Sequence, residues 1–458
     1  MISRAALARN AQQAVRRSWA ARPAQQRTLA SAASSSGAFE TSDGSGLKVA
    51  SRDSHGPTTK LAIVAKAGTR FQPLPGLTVG LEEYAFKNTQ RRTALRITRE
   101  SELLGGQLAS SHTREALILE ASFLRDDLPY FAELLAEVVS MTKYTTHEFH
   151  EEIEPVLRIK QNNFYNNVAA LALDNAHSVA FHTGLGSSVY PTPSTPSKKY
   201  LNEEYIASFA DAVYTKPSLA LVADGASSQD VSKWVGQFFN DVQSSAQSGQ
   251  KFDATATKYY GGEQRTTHTG GNAMVIAFPG SAYTAPKPEV AVLAALLGGK
   301  STIKWSTGYS LLSKATSDVV GLNVSASNIP YSDAGLLAVQ LSGPAASVRA
   351  GAEATVKSLE SIANGSVPKE EVAKAVANAK FNALDATQLR EPSLHLVGSG
   401  IVNTGKAYEP ASLVQGIEKV SAESLKNAAK ALLEGKASVS SVGDLFLLPY
   451  AEQLGLRV

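Results

Sequence analysis

Leu61-Ala-Ile-Val-Ala-Lys-Ala67 and Ala273-Met-Val-Ile-Ala-Phe278 are short apolar runs rich in branched side chains, and each leads to a glycine, Gly68 and Gly280. A run of this length closed by a turn residue reads as a buried strand. The two glycines stand 212 positions apart (68 to 280), and other pairs of segments repeat at a similar offset. A strand at Ala116 to Leu124 precedes a helix with apolar positions Phe131, Leu134, Leu135, Val138 and Val139. Its counterpart is Gly335 to Leu341, followed by Val348, Ala352, Val356, Leu359 and Ile362. A third pair matches Leu201-Asn-Glu-Glu-Tyr205, a helix and a strand ending Ala223-Asp-Gly225 to Val420-Ser-Ala-Glu-Ser424, a helix and a strand ending Val442-Gly443. Three correspondences in one order mean an internal duplication.

The duplication predicts an α+β protein of two homologous sheet-plus-helix halves, residues 45–245 and 262–458, each sheet covered on one side by helices. The segment 246–261 is polar and without apolar periodicity, as expected of a linker. Residues 30–44 are expected to be a flexible lead-in. Each half has close to 200 residues, enough to bury about 70% of its unfolded surface, so no disulfide or metal staple is required.

Local signals refine this outline. Thr145-x-x-Glu148 predicts a capping box. Pro155 lacks the N–H of an interior turn, so the helix around it is expected to break and restart. Residues 186–197, with Pro191, Pro193 and Pro196, read as an exposed loop.

The chain has 458 residues, 43% of them hydrophobic and 19% charged, and no cysteine. Thiolate-held iron–sulfur clusters, cysteine zinc sites and disulfides are excluded. The net charge of +3 is uneven: residues 1–29 carry six arginines and no acid, and the first carboxylate is Glu40. Without that segment the charge is −3, which argues against nucleic acid as a partner of the body. An arginine-rich, acid-free start with scattered Ile2, Leu7, Val15 and Trp19 has the composition of a mitochondrial transit peptide, with cleavage expected between Leu29 and Ala30. The body has no apolar run long enough to span a bilayer as a helix. It is therefore expected to be soluble, or peripheral through protein partners.

One stretch resembles a known catalytic signature. Gly68-Thr69-Arg70 and Glu82-Glu83-Tyr84-Ala85-Phe86-Lys87-Asn88-Thr89 are similar to the N-terminal signature of the pitrilysin-type metallopeptidases, the inverzincin family that includes the mitochondrial processing peptidase. In active members the motif is His-x-x-Glu-His, shortly before Ala-Phe-Lys-Gly-Thr. Anchoring on Ala85-Phe86-Lys87-x-Thr89 places that motif on Val79-Gly80-Leu81-Glu82-Glu83. The glutamate remains as Glu82, and both histidines are replaced. The third ligand of the family falls at Ile159 or Lys160. A catalytic zinc of this kind needs two His and one Glu around a water whose pKa drops to about 7. Val79 offers no donor, and Lys160 would repel a cation. The resemblance therefore implies a clamshell of metallopeptidase-like fold without the zinc site, with no catalytic residue, metal or cofactor, and with Glu82 paired to a nearby base.

Leu95-Arg-Ile-Thr-Arg-Glu100, Gly105-Gly-Gln-Leu108, Thr113-Arg-Glu115, Leu124-Arg-Asp-Asp127 and Leu157-Arg-Ile159 resemble an inactive branch of the family, the core-protein-2 subunits of ubiquinol–cytochrome c reductase, respiratory complex III. The resemblance implies a structural subunit, peripheral on the matrix side of the mitochondrial inner membrane, in a dimeric complex. Its implied partners are core protein 1, cytochrome b, cytochrome c1 and the iron–sulfur protein. The alternative is the non-catalytic α subunit of the processing peptidase, but that subunit carries a longer glycine-rich loop where this chain has only Gly298-Gly299.

Other patterns read as structure. Leu297-Gly-Gly-Lys-Ser-Thr302 ends like a phosphate-binding loop, but Ala294 stands where the first glycine belongs, and Val290 to Leu297 reads as a helix rather than the required strand. His147-Glu-Phe-His-Glu151 reads as a solvated helix start, and His177 and His182 as packing residues. His112 either ends a strand or hydrogen-bonds a peptide in the cleft.

Overall fold

The computed structural model describes residues 38–193, 195, 200–247, 256–299, 306 and 308–458. The basic N-terminus with its Leu29–Ala30 junction, Trp19, Trp305 and Lys300 to Thr302 lie outside the described residues. Among the described residues two sheets form. The first has the order β1-β2-β6-β3-β5-β4, from Glu40–Gly44, Leu47–Arg52, Leu219–Asp224, Thr58–Ala65, Leu117–Leu124 and Gln107–His112. The second has the order β7-β11-β8-β10-β9, from Gly262–Thr267, Ser438–Gly443, Asn272–Pro279, Gly335–Gly343 and Asn323–Pro330. Without β1 the two orders are identical. The strand directions agree too, since β2 runs parallel to β6 and β7 parallel to β11. β1 corrects the expected flexible lead-in: Glu40 to Gly44 pairs antiparallel with Leu47 to Ser51 as an edge strand.

The repeated glycines have a steric reason. A Cβ on Gly68 would collide with the backbone of Arg114 and Glu115, and one on Gly280 with the backbone of Gly335 and Leu336. In each half the strand exit passes directly against a neighbouring chain segment.

Among the helices are α1 (Leu77–Tyr84), α2 (Leu128–Ser140), α3 (Glu154–Asn166), α4 (Val168–Phe181), α5 (Pro288–Leu297), α6 (Ala345–Asn364) and α7 (Arg390–Thr404). The apolar positions expected on α2 and α6 are all buried. Each sheet has helices of its own half on one face, but the other face is covered as well. α4, from the first half of the sequence, lays Leu171, Ala172, Ala176 and Ala180 on Ala273, Val275, Ala277, Leu336 and Ala338 of the second sheet. α7, from the second half, lays Leu394, Val397 and Ile401 on Ala62, Val64, Ala220 and Val222 of the first sheet. The expectation of sheets covered on one side is thus corrected by a reciprocal exchange of helices.

The strands encode this two-sided burial. Side chains alternate across a sheet with a period of two. In β8, Met274, Ile276 and Phe278 enter the core of their own half, while the smaller Ala273, Val275 and Ala277 meet the exchanged helix. In β3, Leu61 and Ile63 turn to their own half, and Ala62 and Val64 to α7. The small residues let the exchanged helices approach closely. Gly398 of α7 lies so near Val64 that a Cβ would overlap it.

Polar contacts tie the halves further. Arg70 donates to Glu115 at 2.6 Å and grips Asp333 through two contacts of 2.7 Å. The Ser332 N–H donates to Glu115 at 2.9 Å. Buried His177 joins Leu173 O to the Tyr331 hydroxyl at 2.8 Å each, and His182 stacks on Tyr260.

Two local expectations change. Thr145 makes no capping hydrogen bond to the helix backbone; its hydroxyl donates to the Glu148 carboxylate, and Glu148 turns inward to accept the Asn88 N–H at 3.1 Å. The capping box fails because this glutamate satisfies a half-buried donor elsewhere. Nor does Pro155 break the helix outright. A π-turn, Phe149–Ile153, precedes it and α3 continues, the wider turn accommodating a ring that would clash with a regular preceding turn.

Candidate functional site

α1 carries the altered motif beneath the first sheet. Its start is fixed by the Gln72 side chain, which accepts the N–H groups of Gly76 and Thr78 at 3.2 Å each, and by the Thr78 hydroxyl donating to Ala67 O at 3.0 Å. Val79 is fully buried and Glu82 is 5% exposed. Three elements converge on Glu82. His112, the last residue of β4, touches Oε2 through Nδ1. Lys160 of α3 donates to Oε1 at 3.0 Å and also pairs with Glu83. The two residues aligned with the third ligand are thereby separated: Lys160 enters the site, whereas Ile159 is 58% exposed and points away.

A loop closes over this cluster. Arg114 donates to Leu185 O at 2.9 Å and pairs with Asp174, which accepts the Val189 N–H at 3.2 Å. Val189 O stands 3.3 Å from His112 Nε2, and the Tyr190 ring packs edge-on to His112 and against Phe164. Burial also raises the pKa of the Tyr190 hydroxyl, keeping it neutral.

The electrostatics follow from these contacts. Burial pushes the Glu82 carboxyl up, but His112 and Lys160 outweigh it and hold the group below the usual carboxylate range. Burial would lower the Lys160 ammonium, but Glu83 and Glu82 raise it instead. Glu82 is thus a firmly ionised carboxylate with both oxygens engaged, a poor proton acceptor. The residues present do not fit the zinc of the active peptidases. Val79 supplies hydrocarbon where an imidazole would bind, and an ammonium stands against the two carboxylates.

Of the residues named from sequence, Val79, Glu82, Glu83 and Lys160 come together, and His112 joins them while also ending its strand. It pairs with Glu82 rather than standing free in a cleft. His147 and His150 are exposed and apart from the site. Val290 to Leu297 lies in α5, a helix, as expected. Sequence reasoning missed the Arg114–Asp174 strap. It also missed Glu120, Glu391 and His395, the group of metal-type donors within mutual reach among the described residues. There too a lysine intervenes, with Lys60 Nζ 2.9 Å from Glu120 and 3.5 Å from Glu391.

Residues 48–193 match the family model of insulinase, peptidase family M16, and residues 200–379 match that of the M16 inactive domain. The mitochondrial cytochrome b-c1 complex subunit 2 of Neurospora crassa is 57% identical over 458 residues, all of both chains. The chain belongs to the M16 peptidase family. The subunit 2 of Schizosaccharomyces pombe is 37% identical, covering 89% of this chain and 93% of its own. The human one is 26% identical, covering 89% and 90%. Within the M16 family, the resemblance therefore lies with complex subunits.

Proposed function

We propose that the chain is a non-catalytic core subunit of the mitochondrial cytochrome b-c1 complex, ubiquinol–cytochrome c reductase, which passes electrons from ubiquinol to cytochrome c. The supporting observation is the identity of 57% along the full length of a subunit 2 protein. A duplicated peptidase scaffold can serve assembly after its chemistry is lost, because fold and function are separable. The exchanged helices suit that role, since each packs a helix of one half on the sheet of the other, the halves being residues 45–245 and 262–458 joined by 246–261. Among the described residues no helix is long and apolar enough to cross a membrane. Attachment to the matrix side of the inner membrane is therefore assigned to protein partners: core protein 1, cytochrome b, cytochrome c1 and the iron–sulfur protein, in a dimeric complex. The arginine-rich residues 1–29 serve as the import address, removed between Leu29 and Ala30.

Gentle detergent extraction of mitochondria followed by native separation tests this reading. The chain is expected to migrate with cytochrome b and core protein 1. Migration only with a soluble processing peptidase would contradict it.

A further inference from the structure

Lys160 does more than fill space left by a lost ligand. Its Nζ lies 3.0 Å from Glu82 Oε1 and in contact with Glu83 Oε1, so two carboxylates on consecutive residues of one helix converge on a single cationic atom. Glu82 cannot swing away, because His112 holds its other oxygen and the strapped loop holds His112. Glu83 Oε1 is buried and has no hydrogen-bond partner of regular geometry, leaving the ion pair with the ammonium to balance it. A buried carboxylate without a partner is strongly unfavourable. The seat therefore requires a cation, and the chain supplies one from α3. The Glu120 cluster shows the same device, with Lys60 set between its acids.

We propose that Lys160 is the resident cation of this site, an internal ammonium that excludes divalent metal ions from a seat formed by Glu82 and Glu83, and that its removal opens the seat to such an ion. Two carboxylates and solvent form a hard-oxygen donor set, which suits a manganese-type ion. His112 would act from behind, orienting Glu82 as outer groups orient the ligands of other metal sites. The inference is independent of assembly into a larger complex, so its failure would leave the proposed role intact.

The test is Mn2+ binding by the full-length chain, read as loss of the free-ion paramagnetic resonance signal, for the native protein, Lys160→Ala, Lys160→Arg and Lys160→Ala/Glu82→Gln. Lys160→Ala is expected to take up one more ion than the native chain and to gain about 2–4 °C in Tm at saturating metal. Lys160→Arg, which retains a cation, and the double variant are expected to match the native protein. Equal uptake by the native chain and Lys160→Ala would overturn the proposal, as would a gain that survives Glu82→Gln. If Lys160→Ala is recovered only unfolded, refolding in Mn2+ is expected to rescue it. Failure to fold with the metal as well as without it would equally overturn the proposal.

Discussion

α1 and α5 occupy corresponding places in the two halves, each following the strand exit at Gly68 or Gly280. At the offset of the glycines, Val79, Glu82 and Glu83 of α1 correspond to Ala291, Ala294 and Ala295 of α5. α5 packs as plain core, burying Val290, Val292, Leu293, Ala294, Leu296 and Leu297. α1 buries a carboxylate in the same scaffold and needs His112 and Lys160 to hold it. The second half thus shows that the fold does not require charge at this position. The charges of α1 are not demanded by the fold, and the partners around Glu82 are what make them tolerable.

The sharpest way to break this comparison is to give α5 the charge without the partners. Ala294→Glu would place an unpaired carboxylate in the second core, and a loss of about 3–5 kcal/mol is expected in denaturant unfolding. A loss below about 1 kcal/mol would mean that the second half can also accommodate charge there. The converse change is milder. Glu82→Gln keeps the shape but removes the charge and puts an N–H donor where one of the two acceptor oxygens stood, and about 1–2 kcal/mol should be lost at neutral pH.

That loss should depend on pH. Glu82 titrates lower in the folded chain than its ordinary value of 4.5, so its ionised form stabilises the fold above the unfolded pKa. This contribution falls away as pH drops through the folded value. The stability gap between the native chain and Glu82→Gln is therefore expected to be full at pH 7 and to narrow below pH 4.5. A gap that widens on acidification would show that Glu82 is not held as the ion.

Much of the fold is legible in the sequence because the duplication is. Pairs such as Leu61 to Gly68 and Ala273 to Gly280 carry both the periodicity and the order of the strands. The destination of α4 and α7 is not legible. Helical spacing shows that Leu394, Val397 and Ile401 share a face, but not that the face crosses to the sheet of the other half. The alternation of large and small residues in β3 and β8 is the one local sign of it, since a sheet buried on both faces needs apolar residues on both.

At the site, the motif alignment located Glu82 and left Ile159 and Lys160 as alternatives, because alignment fixes a neighbourhood rather than a side-chain direction. Helix α3 resolves them by turning Lys160 inward. His112 lies thirty positions from Glu82 in sequence, and it is the packing of α1 against β4 that brings the two together. Thr145 and Glu148 had the right spacing for a capping box, but an unsatisfied donor at Asn88 competed for the carboxylate and won.

The most direct measurement is the zinc content of the native full-length chain after gentle purification and exhaustive dialysis. Well below one zinc per chain is expected, unchanged by Glu82→Gln. One zinc per chain that is lost with Glu82→Gln would contradict a site balanced by an ammonium and restore the case for a working peptidase centre.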